Sequence, residues 1–84
     1  MYKPVYSEEA LRQILALRPA SVRHRILRRI EVLAGQPLTT GELEVFDETG
    51  RTNQMVLVSG YAITFWADHP VKELRIVDVT RLNR

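Results

Sequence analysis

The hydrophobic period of this chain changes once, and that change limits the possible folds more than any single residue does. From Ala10 to Ala34 the apolar residues recur every three or four positions. Ala10, Leu11, Ile14, Leu15 and Leu17 make one run, and Val22, Ile26, Ile30 and Leu33, widened by Leu27 and Ala34, make another. That spacing places apolar groups along one face of a helix. From Glu42 onward the period is two, the spacing of a half-buried strand. Ser7 is a good helix N-cap, and Glu8 and Glu9 complement the positive end of the dipole. Arg18-Pro19 divides the helical region, because a residue before proline avoids helical backbone angles. The second helix is expected from near Pro19 to Ser21 until about Ala34, stopped by Gly35 with Pro37 beyond it. Two helices on a short turn make an antiparallel helical hairpin.

The strands follow from the same reading. Tyr2 to Tyr6 is a short extended piece, and Pro4 within it suits an edge strand, where a missing ladder donor is harmless. Leu38 to Gly41 is a loop. Leu43 and Val45 then alternate with Glu44 and Phe46, and Thr49-Gly50 is a turn signal. Asn53 to Val58 and Tyr61 to Ala67 form two strands around a tight Ser59-Gly60 turn. Asp68-His69-Pro70 turns again, and Glu73 to Val79, with LRIVDV at its centre, is apolar enough for a strand inside the sheet. The order β, α, α and then three or four antiparallel strands predicts an α+β domain with the helix pair on one face of the sheet. One face of the hairpin, with Val56, Val58, Ile63 and Phe65, is expected to meet the helices. The other, with Asn53, Met55, Leu57, Thr64 and Trp66, is expected to stay open.

Length and composition remove several function classes. Eighty-four residues make a single domain, 1–84, with a thin margin of stability. The absence of cysteine excludes disulfides and thiolate metal sites and suggests a reducing compartment. Two distant histidines, His24 and His69, make no metal site, and no cofactor is implied. The N-terminus MYKPVYSEEA has no apolar core of a signal peptide, and no run is long enough to span a bilayer. A cytoplasmic protein without a membrane role is expected. The net charge is only +2. Its distribution is uneven: Arg12, Arg18, Arg23, Arg25, Arg28 and Arg29 fall in a stretch without acids, and Glu42, Glu44, Asp47 and Glu48 in one without bases. Ten of the twelve cationic residues are arginine, which grips carboxylate or phosphate with two parallel hydrogen bonds. Two solvated faces explain this pattern, and so does a docking surface for an acidic peptide or for nucleic acid.

With the anchors VYSEEALRQI, RHRILRRIEVLAGQP, SGYAITFWAD and KELRIVDV, nearly the whole chain resembles the RelE/ParE superfamily of toxins from bacterial type II toxin–antitoxin systems. The resemblance implies a small antitoxin partner and a target, either the translating ribosome with its mRNA or DNA gyrase. It also implies that an RNA-cutting member would carry basic residues on the open sheet face and near the chain end, to stabilise charge on the scissile phosphate and to help move a proton. The lysines such members place on the strand before the Gly-Tyr turn match Asn53 and Met55 here. The arginine they place after the tyrosine matches Ala62. The base and arginine after the last strand match Arg81 and Leu82, so Arg81 serves only if the register slips by one. None of Asn53, Met55 and Ala62 supplies a charge, which weighs against that mechanism.

Candidate residues follow. Arg51, in DETGR, is either a phosphate contact at the rim of the open face or a turn arginine paired with Asp47 or Glu48. With Arg81 and Glu44 it is one example of a noncanonical catalytic set, and Asp47 with Glu48 is a weaker acid–base pair. Trp66 is the aromatic best placed to stack on a base or anchor a partner; Asn53 and Arg84 are further target contacts. His69 is a turn histidine or a general base. Arg12, Arg18, Arg25, Arg28 and Arg29 fit an acidic antitoxin segment. Three functions remain: a toxin neutralised by its antitoxin, a non-catalytic interaction module with the toxin fold, and a ribonuclease with an unusual residue set. A homodimer is a further expectation, because the hairpin edge and Trp66 need cover.

Overall fold

The computed structural model describes residues 1–82. Its elements are β1 (Lys3–Tyr6), α1 (Glu8–Leu15), α2 (Ala20–Gly35), β2 (Leu43–Phe46), β3 (Thr52–Val58), β4 (Tyr61–Asp68) and β5 (Glu73–Arg81), with a 3-10 turn at His69–Val71. They form one five-stranded sheet in the order β1-β5-β4-β3-β2. The four C-terminal strands are antiparallel neighbours, and β1 joins parallel to β5. Pro4 sits where its missing donor does no harm. Lys3 and Ser7 both send their amides toward β5, so Pro4, at an even position between them, faces the free edge.

Each helix starts and stops for a local reason. The Ser7 hydroxyl accepts the Ala10 amide at 3.0 Å and donates to the Val77 carbonyl at 2.7 Å, tying the start of α1 to β5. α1 ends before Arg18-Pro19, whose peptide is cis. Both helices lie on one face of the sheet. Ala10, Ile14 and Leu17 join Ile26, Ile30 and Leu33 from α2 in a core closed below by Val56, Ile63, Phe65, Leu74, Ile76 and Val79. The expected sheet face is therefore the core face. Leu11 and Leu15 correct the helical reading, because both are exposed on the outer side of α1, Leu15 by 63%. The eight residues of α1 bury a narrow stripe, and its second apolar row lies outside it.

The Ser59-Gly60 turn has the backbone its sequence demands. Both residues have positive φ, 52° and 82°, as a tight two-residue hairpin requires. Gly41 is needed for a different reason. A Cβ there would lie 2.6 Å from the Met55 carbonyl oxygen, so the chain entering β2 presses directly on β3.

Candidate functional site

No helix covers the second face of the sheet, yet its middle is recessed. Ala62 is 2% exposed, Thr64 is buried, and Asn53 is 5% exposed. Small side chains form a floor, and larger neighbours stand around it. Gln54 pairs with Phe65 and Met55 with Thr64, which sets Asn53 across from Trp66. Trp66 in turn pairs with Arg75 on β5. The Asn53 side-chain oxygen is buried without a hydrogen-bond partner among the described residues. An unsatisfied buried acceptor costs about 1–3 kcal/mol, so the face carries an unmet polar demand next to its one tryptophan.

The turn before β3 positions Arg51. One Asp47 carboxylate oxygen accepts the Thr49 hydroxyl at 2.6 Å, the Thr49 amide at 2.9 Å and the Arg51 amide at 3.0 Å. Gly50, at φ 83°, lets the chain close back on Asp47. With its backbone held, Arg51 lays its guanidinium over the Trp66 ring, 3.9 Å from the centroid. Arg75 approaches the same ring at 5.7 Å. Cation–π contacts at such exposure contribute about 0.5–1 kcal/mol each, enough to order the side chains but not to lock them. The result is a row of guanidinium, indole and guanidinium running from the turn before β3 across β4 to β5. Arg75 is partly neutralised by Glu73 at 2.7 Å and Asp68 at 3.3 Å. Arg51 has only a long contact to Asp47, at 3.8 Å. Arg51 thus leans on its turn carboxylate and stands at the rim of the open face.

A cavity of about 550 Å³ adjoins this row, between the 37–40 loop and the ends of β3 and β4, with Glu44, Arg51, Gln54, Trp66 and His69 in its wall. Glu44 accepts the Gln54 amide at 2.8 Å, and Gln54 accepts the Gly41 amide at 2.7 Å. His69 meets the Tyr2 hydroxyl through Nδ1 at 2.8 Å.

Not all the sequence candidates meet. Arg51 and Glu44 share this cavity, but Arg81 pairs with Tyr61 at the opposite end of the sheet, beside the Ser59-Gly60 turn. The three do not form one catalytic constellation. The cause is topological: Arg51 precedes β3, whereas Arg81 ends β5, at the end of the sheet where β3 turns into β4. Arg84 lies outside the described residues. Arg12 is engaged by Glu9 on α1. Arg18 donates to the Leu17 carbonyl at 3.0 Å and Arg25 to the Ser59 hydroxyl at 3.4 Å. Arg28 lines a shallow depression on α2 with His24, Leu27 and Glu31, and Arg29 is half-buried on the same helix. Arg75 is the residue that sequence reasoning missed. Its alignment with Trp66 depends on a register shift at Thr64/Phe65, which no local pattern shows.

No protein-family model matches the sequence, and no curated protein matches it either. Solved structures do. The isolated E. coli RelE toxin superposes with a TM-score of 0.83, over all of this chain and 87% of that one, at 16% identity. The fold is that of the RelE toxin. A chain of the intact E. coli RelBE toxin–antitoxin complex also matches, with a TM-score of 0.69 and 14% identity over the full length of both. On this RelE fold the backbone path is shared and the side chains are the chain's own. The open face here carries Asn53, Met55 and Ala62 on β3 and β4, with Asp78 across from Thr64 on β5. Among the described residues, no helix is long and apolar enough to cross a membrane.

Proposed function

We propose that the chain is the toxin component of a type II toxin–antitoxin pair, acting in the cytoplasm and held inactive by a cognate antitoxin. The observation that carries this reading is the RelE fold along the whole chain. A second structural neighbour drawn from a toxin–antitoxin complex supports the antitoxin partner. The target contact is assigned to Arg51, Trp66 and Arg75, a row able to stack on a base or on a partner side chain while offering positive charge beside it. Arrest by occupying the ribosome or DNA gyrase suits these residues better than mRNA cleavage, because among the described residues no acid–base pair stands on the recessed floor. The second reading is a non-catalytic interaction module. It is favoured by one observation: Ala62 and Asn53 are buried and uncharged, at positions where the resemblance implies basic residues in an RNA-cutting member.

Induction of the chain alone in bacterial cells, beside a culture that also expresses the small gene adjacent to it, separates the two readings. Arrest that the neighbour relieves, and that R51A/W66A reduces at equal soluble expression, is the expected result. Following translation and DNA replication in the arrested cells then names the target. Normal growth at good soluble expression would replace the toxin reading with the interaction module.

A further inference from the structure

The far end of the molecule holds a second arrangement that the open face does not use. Arg18, Val22, Ser59, Tyr61, Arg81 and Leu82 enclose a cleft of about 330 Å³ between the α1–α2 connection and the β3–β4 turn. Arg25 reaches the same turn, with Nη1 3.4 Å from the Ser59 hydroxyl. The two positive-φ residues fold the turn tightly there, and the Leu82 amide clamps it by donating to the Gly60 carbonyl at 2.9 Å. Arg18 is held by the carbonyls of Leu15 and Leu17, at 3.4 and 3.0 Å, which fixes its stem at the end of α1. Three guanidiniums therefore gather around one turn. Among the described residues, none of Arg18, Arg25 and Arg81 has a carboxylate within ion-pair distance, and no acid lines the cleft. Like charges placed together without a counter-charge repel, and an anion entering between them relieves that repulsion.

We infer that this cleft docks an acidic peptide segment of a protein partner, with carboxylates taken by Arg18, Arg25 and Arg81 and aliphatic side chains laid on Val22 and Leu82. Charge fixes the sign of the ligand, and the apolar walls decide its class. Val22 and the ring of Tyr61 line the cleft, Leu82 is exposed at its rim, and the exposed Leu15 lies next to the Arg18 anchor. A peptide that alternates acids with leucine or valine covers both kinds of surface. A nucleic-acid backbone satisfies the arginines and leaves the aliphatic groups in water. Arginine also suits carboxylates through paired parallel donors. This assigns Arg81 to binding. Within the toxin–antitoxin pair the docked segment belongs to the antitoxin, and that identity rests on the function proposed above; the peptide chemistry of the cleft does not.

The test is selection of short random displayed peptides on the immobilised intact chain, in parallel with R18E/R81E. Recovered peptides rich in Asp and Glu interleaved with Leu, Ile or Val are expected. Their affinity should fall about tenfold or more on R18E/R81E, the loss that follows removal of a charge-assisted contact. R25E/R81E, which leaves the carbonyl contacts of Arg18 in place, should fall alike and guards against an unfolded variant. Peptides without an excess of acids, equal binding to both variants, or displacement by a short single-stranded RNA at lower concentration than by the free peptide would overturn the inference. Growth assays keep the two proposals apart. If the adjacent gene product rescues cells from an R81E chain as fully as from the natural one, the antitoxin docks elsewhere while the toxin reading stands. If the chain arrests no growth, the toxin reading falls and the selection still decides the cleft.

Discussion

Asp47 governs how the open face presents its charge. It collects three donors on one oxygen and so fixes the residue that covers Trp66. The Thr49 hydroxyl is the main cause that holds this carboxyl below its ordinary value; partial loss of solvent opposes it, and the Arg51 and Thr49 amides and the Arg51 charge add to the lowering. A carboxyl that releases its proton more readily when folded contributes its stability above the unfolded value, about 3.9. The contribution fades as the pH falls through the lower folded value. Acidification below about pH 4 is therefore expected to loosen the 47–51 turn before the core unfolds. Trp66 is the single tryptophan, so its fluorescence reports the loss of the Arg51 cover directly. D47A should show the same emission change at neutral pH. An emission spectrum for D47A identical to that of the natural chain would mean that Arg51 holds its place without the turn.

The elements were legible wherever local chemistry decides them. Ser7, Arg18-Pro19 and Ser59-Gly60 all act where the sequence puts them, because caps, proline and two-residue turns are fixed by near neighbours. What the sequence withheld depends on distant contacts. Nothing in Tyr2 to Tyr6 says that its strand runs parallel to β5, since the pairing forms across some seventy positions, Lys3 with Glu73. Leu11 and Leu15 have the right spacing for a core and lie outside it, because spacing defines a face and not what covers it. Asn53 and Thr64 read as surface residues on the open face but are buried by their own neighbours. Gln13 is another contact that no pattern shows. β1 stops at Tyr6, and beyond it the Gln13 side chain stands in for the missing strand. Its oxygen accepts the Val79 amide at 2.6 Å, and its nitrogen donates to Asp78 at 2.7 Å. Q13L should strand both partners and cost about 1–3 kcal/mol. A thermal melt checks this: Q13E, which keeps an acceptor for Val79 but turns a carboxylate on Asp78, should also lose stability. Melting temperatures equal to that of the natural chain would show that the edge needs no such support.

At the scale of the whole molecule the two edges of the sheet are defended unequally. The β1 edge, as short as β2, carries Pro4 and is followed by α1. The β2 edge is four residues long and free, with Leu43 54% and Phe46 76% exposed on its opposite faces. Cover for Trp66, one of the two reasons to expect a homodimer, is already supplied by Arg51 and Arg75. The edge remains. Glu42 and Glu44 offset its stickiness only in part, since the Glu42 carboxylate accepts the Leu57 amide and Glu44 is held by Gln54. An unpaired strand with exposed apolar side chains is a template for another strand. The free chain is therefore expected to self-associate as its concentration rises, edge to edge through β2. F46K should suppress that association while leaving the melting temperature within about 2–4 °C, because an exposed side chain contributes little to the fold. Sedimentation velocity over a concentration series decides it. A natural chain that stays monomeric throughout would show that four residues and two glutamates are protection enough, and an F46K chain that associates as before would place the contact elsewhere on the surface.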